Sequence, residues 1–582
     1  MIEEFTPQVL MITLTLVILV SPSLTLVISA ALMWRYRRAV ARAMAEPSGT
    51  ESITAAADWA GGDPAAGWDA PDRAAGVHGA DLYRHAMRAP WRNAMRYMAG
   101  GVAFALVLAG ATTQVYPSGL GLSGFAIAVW IYAWPIVLAL PLIVPQPFRI
   151  AAAAVVTYLV VYALLGLWAG TVENLSEYRF GAVFIPARST VTPAGMLRTW
   201  LTTNAAPTLL ILLCLNRRVR AVAPLVLALV TSIVAGFVVV VLALFSPRGA
   251  DAVMAVAISL GLDKIWLVGA TCLLALGCLG LVGWLLARGI ARAYCKGRLS
   301  DQSLLLDALW LLFASTYGMW LAWGGAEWIA SPVVAFLAYR LVWTATARFA
   351  RPQSTTGIGL TFLRVFSLGR RSEALFEAVA GYWRHLGSVQ LITGPDLAHK
   401  TVQPHQFLDF VSGGLSRHFV RDDASLTSRL AEYDFAPAAD GRFRINNLFC
   451  HADSWQAALP SLVRGRNIVL MDLRSFSASN AGCIHEIRFL VQTVPVEHFV
   501  LVVDDTTDMR FLDSTLQEAV ADLFPGASNS STVTPQSRVF QIGDGRRPLQ
   551  RLLRGLCDAA GGVDARGPPS PTRTPSAWGI KG

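Results

Sequence analysis

Residues 467–487 read NIVLMDLRSFSASNAGCIHEI, and they establish the architecture of the C-terminal part of the chain. The first six residues form an apolar run that ends in Asp472, as is typical of a β-strand buried on both faces. A Ser-rich segment follows, and from about Asn480 apolar residues recur at helical spacing. A strand, a loop and a helix in this order predict one unit of a parallel α/β sheet.

The same alternation extends over residues 358–562. Strands are predicted at 361–367, 389–393, 443–449, 467–472, 498–503 and 538–542. Helices are predicted at 372–386, 404–419, 454–463, 480–493, 509–524 and 548–560, with a loop after residue 419. We therefore expect a doubly wound, flavodoxin-like parallel sheet with helices on both faces.

Composition divides the chain near Arg351. Of the 582 residues, 54% are hydrophobic and only 15% are charged, whereas about a quarter of the residues in a soluble protein are charged. The apolar excess is confined to residues 1–350. This part of the chain is therefore predicted to be a polytopic α-helical membrane domain.

About nine apolar runs approach the roughly 20 residues that a membrane-spanning helix needs. They lie near 9–33, 98–113, 122–144, 150–170, 198–215, 221–246, 265–287, 303–323 and 327–347. Residues 252–262 are apolar but too short to cross, so an interfacial or re-entrant segment is expected there. Asp307 and Arg340 lie on neighbouring predicted spans, where they could either pair or extend to the interface.

The distribution of Lys and Arg predicts the orientation. The outer loops contain few of these residues, namely Arg179, Arg188, Arg248 and Lys264, whereas the inner loops contain many, beginning with residues 35–42. The positive-inside rule then places the N-terminus in the periplasm of a bacterial inner membrane and the C-terminal domain in the cytoplasm. Residues 46–80 are predicted to be a flexible cytoplasmic loop, and residues 563–582 a disordered tail.

The net charge of +10 does not indicate a nucleic-acid partner, because many of the arginines border apolar segments and act as orientation signals. The seven cysteines include no CxxC spacing, so neither a disulfide framework nor a metal site is predicted. The lipid bilayer is the one partner that composition alone implies.

Ligands of doubly wound sheets bind beyond the carboxyl ends of the strands, and these ends carry the candidate binding residues. A glycine beside two arginines ahead of a helix is suited to a phosphate, although an ordinary turn is the alternative because GxGxxG and a P-loop lysine are missing. The candidate nucleotide-binding residues are Ser367, Gly369, Arg370, Arg371, Asp472 and Arg474.

The stretch 472–487 resembles the Toll/interleukin-1 receptor (TIR) domain. In that family a buried strand and a loop lead into a motif of Ser, Trp, Cys, two variable residues, Glu and Leu. Cys483, Glu486 and Ile487 match the last three specified positions. The resemblance covers about residues 360–560 and implies the TIR fold for this domain.

The start of the domain is also similar to that family. Val365-Phe366-Ser367 with Gly369-Arg370 resembles its opening box. The chain departs from the pattern at Gly482, where the family usually has Trp. Its strand-to-helix loop is longer, and residues 395–440 look like an inserted unit, so a relative of the TIR fold is expected.

The resemblance implies a catalytic role for Glu486. In the enzymatic branch of the family, this glutamate cleaves the nicotinamide–ribose bond of NAD, and a nearby carboxylate stabilises the oxocarbenium-like state. Arg370, Arg371 or Arg474 could then hold the pyrophosphate. The structural alternative is that Glu486 is a solvated or ion-paired helix residue and Cys483 a small core residue.

Three functional hypotheses follow. The first is a membrane-anchored signalling or defence protein whose TIR-like domain binds a nucleotide or a protein partner and could hydrolyse NAD. The second is a transporter or channel that uses the same domain as a regulatory module. The third is a non-enzymatic membrane scaffold that self-associates through the domain.

Overall fold

The computed structural model describes most of the chain. The described residues are 7–46, 78–115, 122–145, 148–172, 178–180, 183–185, 193–214, 219, 222–245, 247–321, 328, 330–347, 357–365, 370–393, 402–451, 454–463, 468–495, 498–523, 539–543 and 546–561. Most of the loop predicted at 46–80 and the whole tail predicted at 563–582 lie outside them.

The chain forms two compact units. The first, here named the helical unit, comprises Met1–Trp34, Trp91–Arg351 and Gln403–Leu408. The second, here named the sheet unit, comprises Arg35–Pro90, Pro352–Val402 and Asp409–Gly582. The described residues 35–46 and 78–90 therefore group with the sheet unit.

Long apolar helices make up the helical unit. In chain order they are α1 (Pro7–Ala45), α2 (Gly79–Val115), α3 (Leu122–Tyr132), α4 (Trp134–Ile143), α5 (Phe148–Val172), α6 (Pro193–Cys214), α7 (Ala223–Phe245), α8 (Pro247–Leu260), α9 (Lys264–Cys295), α10 (Asp301–Leu321) and α11 (Ser331–Ala347). The end of α1, from Arg35, and the start of α2, up to Pro90, belong to the sheet unit. A short antiparallel pair, β1 (Tyr178–Phe180) and β2 (Val183–Ile185), follows α5.

Five helices among the described residues are long and apolar enough to cross a membrane. They are Leu19–Ala45, Gly79–Val115, Leu122–Ile143, Arg149–Trp168 and Lys264–Cys295. The shorter apolar helix Ala223–Val234 adds to them. Several membrane-length helices are thus present, and the count of nine spans stays a prediction.

An aromatic cluster and two polar pairs hold the helical unit together. Trp310 and Tyr317 are fully buried in the core, as are many neighbouring aliphatic side chains. The Tyr317 hydroxyl donates to Asn204 Oδ1 at 2.6 Å. Arg340 Nη1 lies 3.0 Å from Asp307 Oδ2, which confirms the pairing of these two residues. The two pairs thus offset part of the desolvation cost of these buried polar groups.

The sheet unit alternates strands and helices, as the sequence predicts. Its strands are β3 (Leu360–Arg364), β4 (Val389–Ile392), β5 (Phe419–Val420), β6 (Ile445–Cys450), β7 (Ile468–Asp472), β8 (Phe499–Val503) and β9 (Val539–Gln541). Its helices are α12 (Arg370–Trp383), α13 (Pro404–Val411), α14 (Asp423–Ala431), α15 (Trp455–Val463), α16 (Ala481–Thr493), α17 (Met509–Leu523) and α18 (Arg546–Gly561). Residues 404–408 of α13 are grouped with the helical unit and residues 409–411 with the sheet unit.

All seven strands are parallel, in the order β5-β6-β4-β3-β7-β8-β9. The predicted parallel α/β sheet is therefore confirmed. Without the two-residue strand β5, the order equals the 3-2-1-4-5-6 order of dinucleotide-binding Rossmann folds. Without β5 and β6 it equals the flavodoxin order 2-1-3-4-5. In both descriptions the winding direction switches between β3 and β7.

The central strand β7 is buried on both faces. Ile468 and Leu470 belong to the core beneath α12 and α18, whereas Val469 and Met471 belong to the core beneath α16 and α17. Successive side chains of a strand point to opposite faces, so a run without polar residues is required where helices cover both. This explains why residues 468–471 are all apolar and why Asp472 is the first polar residue of the strand.

The structure corrects the prediction of a helix at 404–419. Helix α13 ends at Val411 because Gly413 adopts a left-handed conformation, with φ of +83°, and terminates it. A 3₁₀ turn (Leu415–His418) and strand β5 follow. The loop predicted after residue 419 is also wrong, since α14 forms there behind a capping box in which Asp422 and Ser425 bond each other's backbone N–H.

The residues just before Pro90 pack on the last helix of the sheet unit. Ala86 is buried in the core that also contains Leu552 and Leu556 of α18. An added Cβ at Gly79 would lie 2.6 Å from the Asp558 Cα, so the chain approaches α18 closely there. These contacts explain why residues 79–90 group with the sheet.

We predict that Gly387→Ala destabilises the sheet unit. A Cβ at Gly387 would collide with the carbonyl oxygen of Ile358, which lies in the segment that leads into β3. The backbone must shift to avoid this overlap, and the shift should lower the free energy of unfolding by about 1–3 kcal/mol. The test is thermal exposure of the buried cysteines of the sheet unit to a thiol-reactive dye. Gly543→Ala is the matched control, because its Cβ would meet nothing within 4 Å; equal midpoints for both variants would contradict the prediction.

Candidate functional site

The topological switch point lies between β3 and β7. Arg364 and Asp472, the last residues of these strands, are neighbours in register. Helix α12 follows β3 and packs on one face of the sheet, whereas α16 follows β7 and packs on the other. The two helices diverge from this point, which is where open α/β sheets bind ligands.

A buried ion pair closes the end of β7. Arg474 donates from Nε and Nη2 to the two carboxylate oxygens of Asp472, at 2.7 Å each. The hydroxyl of Ser372 in α12 adds a 2.8 Å hydrogen bond to the same carboxylate. Arg474 also donates to the backbone carbonyl of Arg371 at 2.8 Å. The loop after β7 is thereby tied to the first turn of α12.

A second arginine–carboxylate pair lies at the end of β8. Arg371 Nη2 is bonded to Asp504, whose side chain is buried, while the Arg371 side chain remains 46% exposed. The hydroxyls of Ser475 and Thr506 are 2.8 Å apart, and each lies 3.4 Å from Arg371 Nη1. An exposed guanidinium and two hydroxyls thus lie together at the switch point.

The surroundings favour the charged forms of Asp504 and Arg474. Burial by itself would raise the pKa of Asp504, but hydrogen bonds from the Thr506 hydroxyl and backbone N–H, with the charges of Arg371 and Arg474, bring the pKa below its usual value. Burial opposes ionisation of Arg474, and the hydrogen bonds and charge of Asp472 outweigh it, so its pKa is raised.

Ser475 has a backbone conformation that L-residues rarely adopt. Its φ is +59°, and among the described residues it is the one non-glycine residue with positive φ. Such strain costs roughly 1–3 kcal/mol and persists where the surroundings impose it. Here the bonds of Arg474 on one side and of Thr506 on the other fix the loop, so the Ser475 hydroxyl faces Arg371.

Glu486 lies on α16 and is almost fully buried, at 3% exposure. Burial raises its pKa to about 8, with partial opposition from the charge of Arg364. Its Oε2 has no hydrogen-bond partner among the described residues. Cys483, one turn earlier, contacts the Arg364 carbonyl oxygen at 3.8 Å. At neutral pH this carboxyl group is mostly protonated.

The structure brings some of the predicted binding residues together. Arg371, Asp472 and Arg474 form one hydrogen-bonded group at the switch point. Arg474 is already paired with Asp472, so it positions the loop and is not a free cation for pyrophosphate. Ser367 and Gly369 lie outside the described residues, and for Arg370 only the backbone, at the start of α12, is described.

No family model, curated protein or solved structure matches the chain. Within the described part of the chain, no group of three or more His, Cys, Asp or Glu side chains is arranged to hold a metal ion.

Sequence reasoning missed three residues of this site. Ser372 and Thr506 supply hydroxyls. Ser372 directly follows two arginines and Thr506 directly follows two aspartates, and this position was the signal that the sequence offered. Arg364 is a charged residue inside an apolar strand, where burial requires a partner. It donates to the Ile392 carbonyl oxygen at 3.1 Å across the strand ends.

We predict that Glu486→Gln stabilises the protein in a pH-dependent way. The pKa of Glu486 rises from its ordinary value of 4.5 to about 8 on folding, so the folded state binds the proton more tightly than the unfolded state. The stability of the wild type should therefore fall as pH rises from 4.5 to 8, by up to about 4–5 kcal/mol for this group. Glutamine mimics the protonated form and removes this dependence.

The measurement is the thermal midpoint of both proteins between pH 5 and pH 9. The gap in favour of Glu486→Gln should widen up to pH 8 and then remain constant. Glu518→Gln is the control, since Glu518 is exposed and pairs with Arg488. Parallel curves for wild type and Glu486→Gln would contradict the prediction, because they would show that folding does not raise the pKa of Glu486.

Proposed function

We propose that this chain is a multi-spanning protein of a bacterial inner membrane whose cytoplasmic sheet unit binds a nucleotide for signalling or defence. The single observation that carries the nucleotide proposal is the Arg371 group at the switch point. An exposed guanidinium, two hydroxyls and the first turn of α12 converge there. These are the groups that bind phosphate in doubly wound folds.

The membrane part of the proposal is supported by exposed apolar surface. Ile265, Trp266, Leu273 and Leu274 on α9 are each about 70% exposed or more in the absence of lipid. A water-soluble protein rarely leaves such a continuous apolar surface uncovered. Nine spans, a periplasmic N-terminus and a cytoplasmic sheet unit agree with the apolar runs and with the Lys and Arg distribution.

The two ion pairs explain how the site would recognise phosphate. Arg474 is fully engaged by Asp472, and its role is to fix the loop that presents Ser475. Arg371 keeps one side of its guanidinium towards solvent, although Asp504 binds the other. A phosphate that bound there would accept hydrogen bonds from Arg371 and from the Ser475 hydroxyl, while the Thr506 hydroxyl continues to donate to Asp504.

We predict that Arg371→Gln weakens nucleotide binding at least about tenfold, since a charged hydrogen bond to phosphate contributes roughly 1.5–3 kcal/mol. The assay is titration of the full-length protein, purified in a neutral detergent, with NAD and with ADP. Arg488→Gln is a closely matched control, because Arg488 is 47% exposed and also forms one ion pair. No binding by the wild type, or equal loss in both variants, would refute the proposal.

Hydrolysis of NAD is a second candidate function, and the burial of Glu486 is the observation that favours it. In this reaction the bond between ribose C1′ and the nicotinamide nitrogen breaks, and the electron pair leaves with nicotinamide. Water adds to C1′ and releases a proton, which gives ADP-ribose. An ionised Glu486 would stabilise the positive charge that develops on the ribose. The TIR resemblance assigns this residue the same role.

We predict that the full-length protein releases nicotinamide from NAD and that Glu486→Ala abolishes the release. Because the carboxylate form is needed, kcat/KM, which reports the unliganded protein, should rise with pH and level off above about pH 8. Glu518→Ala should retain the wild-type rate. Absence of nicotinamide in the wild type, also under conditions that promote assembly, would remove the enzymatic function and leave nucleotide binding to be judged by Arg371→Gln.

A further inference from the structure

The last helix of the sheet unit carries a row of exposed arginines. Arg547, Arg551 and Arg554 lie on the solvent face of α18, at the spacing that places side chains on one side of a helix. The opposite face is buried through residues such as Leu552 and Leu556. The arginines are therefore held on a fixed surface by the packing of the helix.

These arginines line a groove of about 470 Å³. Tyr83 and Gln550 complete its lining, and no acidic side chain contributes to it among the described residues. The Arg554 guanidinium lies over the Tyr83 ring, 5.1 Å from the ring centroid. This cation–π contact orients Arg554 while it leaves the N–H groups at the guanidinium edge available.

The charge of this groove is not neutralised within the described part of the sheet unit. Arg371, Arg444, Arg474 and Arg488 each pair with a carboxylate. Arg547 and Arg551 form no ion pair with a described residue, and like charges at this spacing repel one another and destabilise the helix. The groove also lies along the N-terminal half of α18, where the helix dipole adds positive potential.

We propose that this groove is a binding site for a phosphate group, separate from the switch point. Guanidinium groups bind phosphate oxygens through two parallel hydrogen bonds, and three of them around one groove suit a doubly charged anion. The binding would relieve the mutual repulsion of the arginines. The groove shares no residue with the Arg371 site.

The phosphate could belong to a soluble compound or to a lipid headgroup. Clusters of arginines also attract the headgroups of anionic lipids. The chemistry recognised is the same in both cases. The two sources are separated by the probes used in the test.

The test uses full-length protein in a neutral detergent, in an Arg371→Gln background that disables the switch point. Binding is measured for inorganic pyrophosphate and for a short-chain phosphatidylglycerol, with phosphatidylcholine of the same chain length as the uncharged control. We expect Arg551→Gln/Arg554→Gln to weaken binding at least about tenfold. Arg417→Gln/Arg488→Gln, which removes two exposed arginines elsewhere, should change it less than about twofold.

The outcomes identify the ligand class or refute the site. Binding of pyrophosphate alone supports a soluble ligand, binding of phosphatidylglycerol alone supports a lipid headgroup, and binding of both supports recognition of the phosphate itself. Arg551→Lys/Arg554→Lys keeps the charge but not the planar fork, so its affinity should lie between those of the background protein and the Gln variant. Binding of neither probe, or equal weakening by both Gln pairs, overturns the proposal.

Discussion

Burial of strand β7 on both faces limits where the sheet unit can place charge. Each face of the strand is covered by helices, so no polar side chain is accommodated before its last residue. Asp472 is that residue, and it emerges where α12 and α16 diverge. The carboxyl edge of the sheet is therefore the place where a polar group can be both held by the core and presented to a ligand.

The charges at this edge are arranged in pairs because isolated buried carboxylates are costly. Asp472 is neutralised by Arg474, which also bonds the backbone of α12. Asp504 is neutralised by Arg371, but this arginine retains access to solvent. One pair thus fixes the loop, while the other leaves a cationic group at the surface. The strained backbone of Ser475 lies between them and is maintained by both.

The sequence predicted the parts of this fold that follow from local patterns. The apolar run before Asp472 and the helical spacing after Asn480 were sufficient for the strand and the helix, whereas the switch point follows from the order of the strands in the sheet. Pairings across the sheet were not predictable, because the link between Arg371 and Asp504 joins residues far apart in sequence. The predicted helix at 404–419 was too long, because the positive φ of Gly413 that ends α13 at Val411 could not be read from the sequence.

The state of Glu486 connects its burial to the proposed chemistry. A carboxyl group with a pKa of about 8 is mostly neutral at pH 7 and cannot stabilise a cation in that form. The nicotinamide ring of NAD is itself positively charged, and an opposite charge next to a carboxyl group lowers its pKa. Arrival of this ligand would therefore favour the ionised form that cleavage requires. In the unliganded protein, the neutral form avoids burying an unpaired charge beside Cys483.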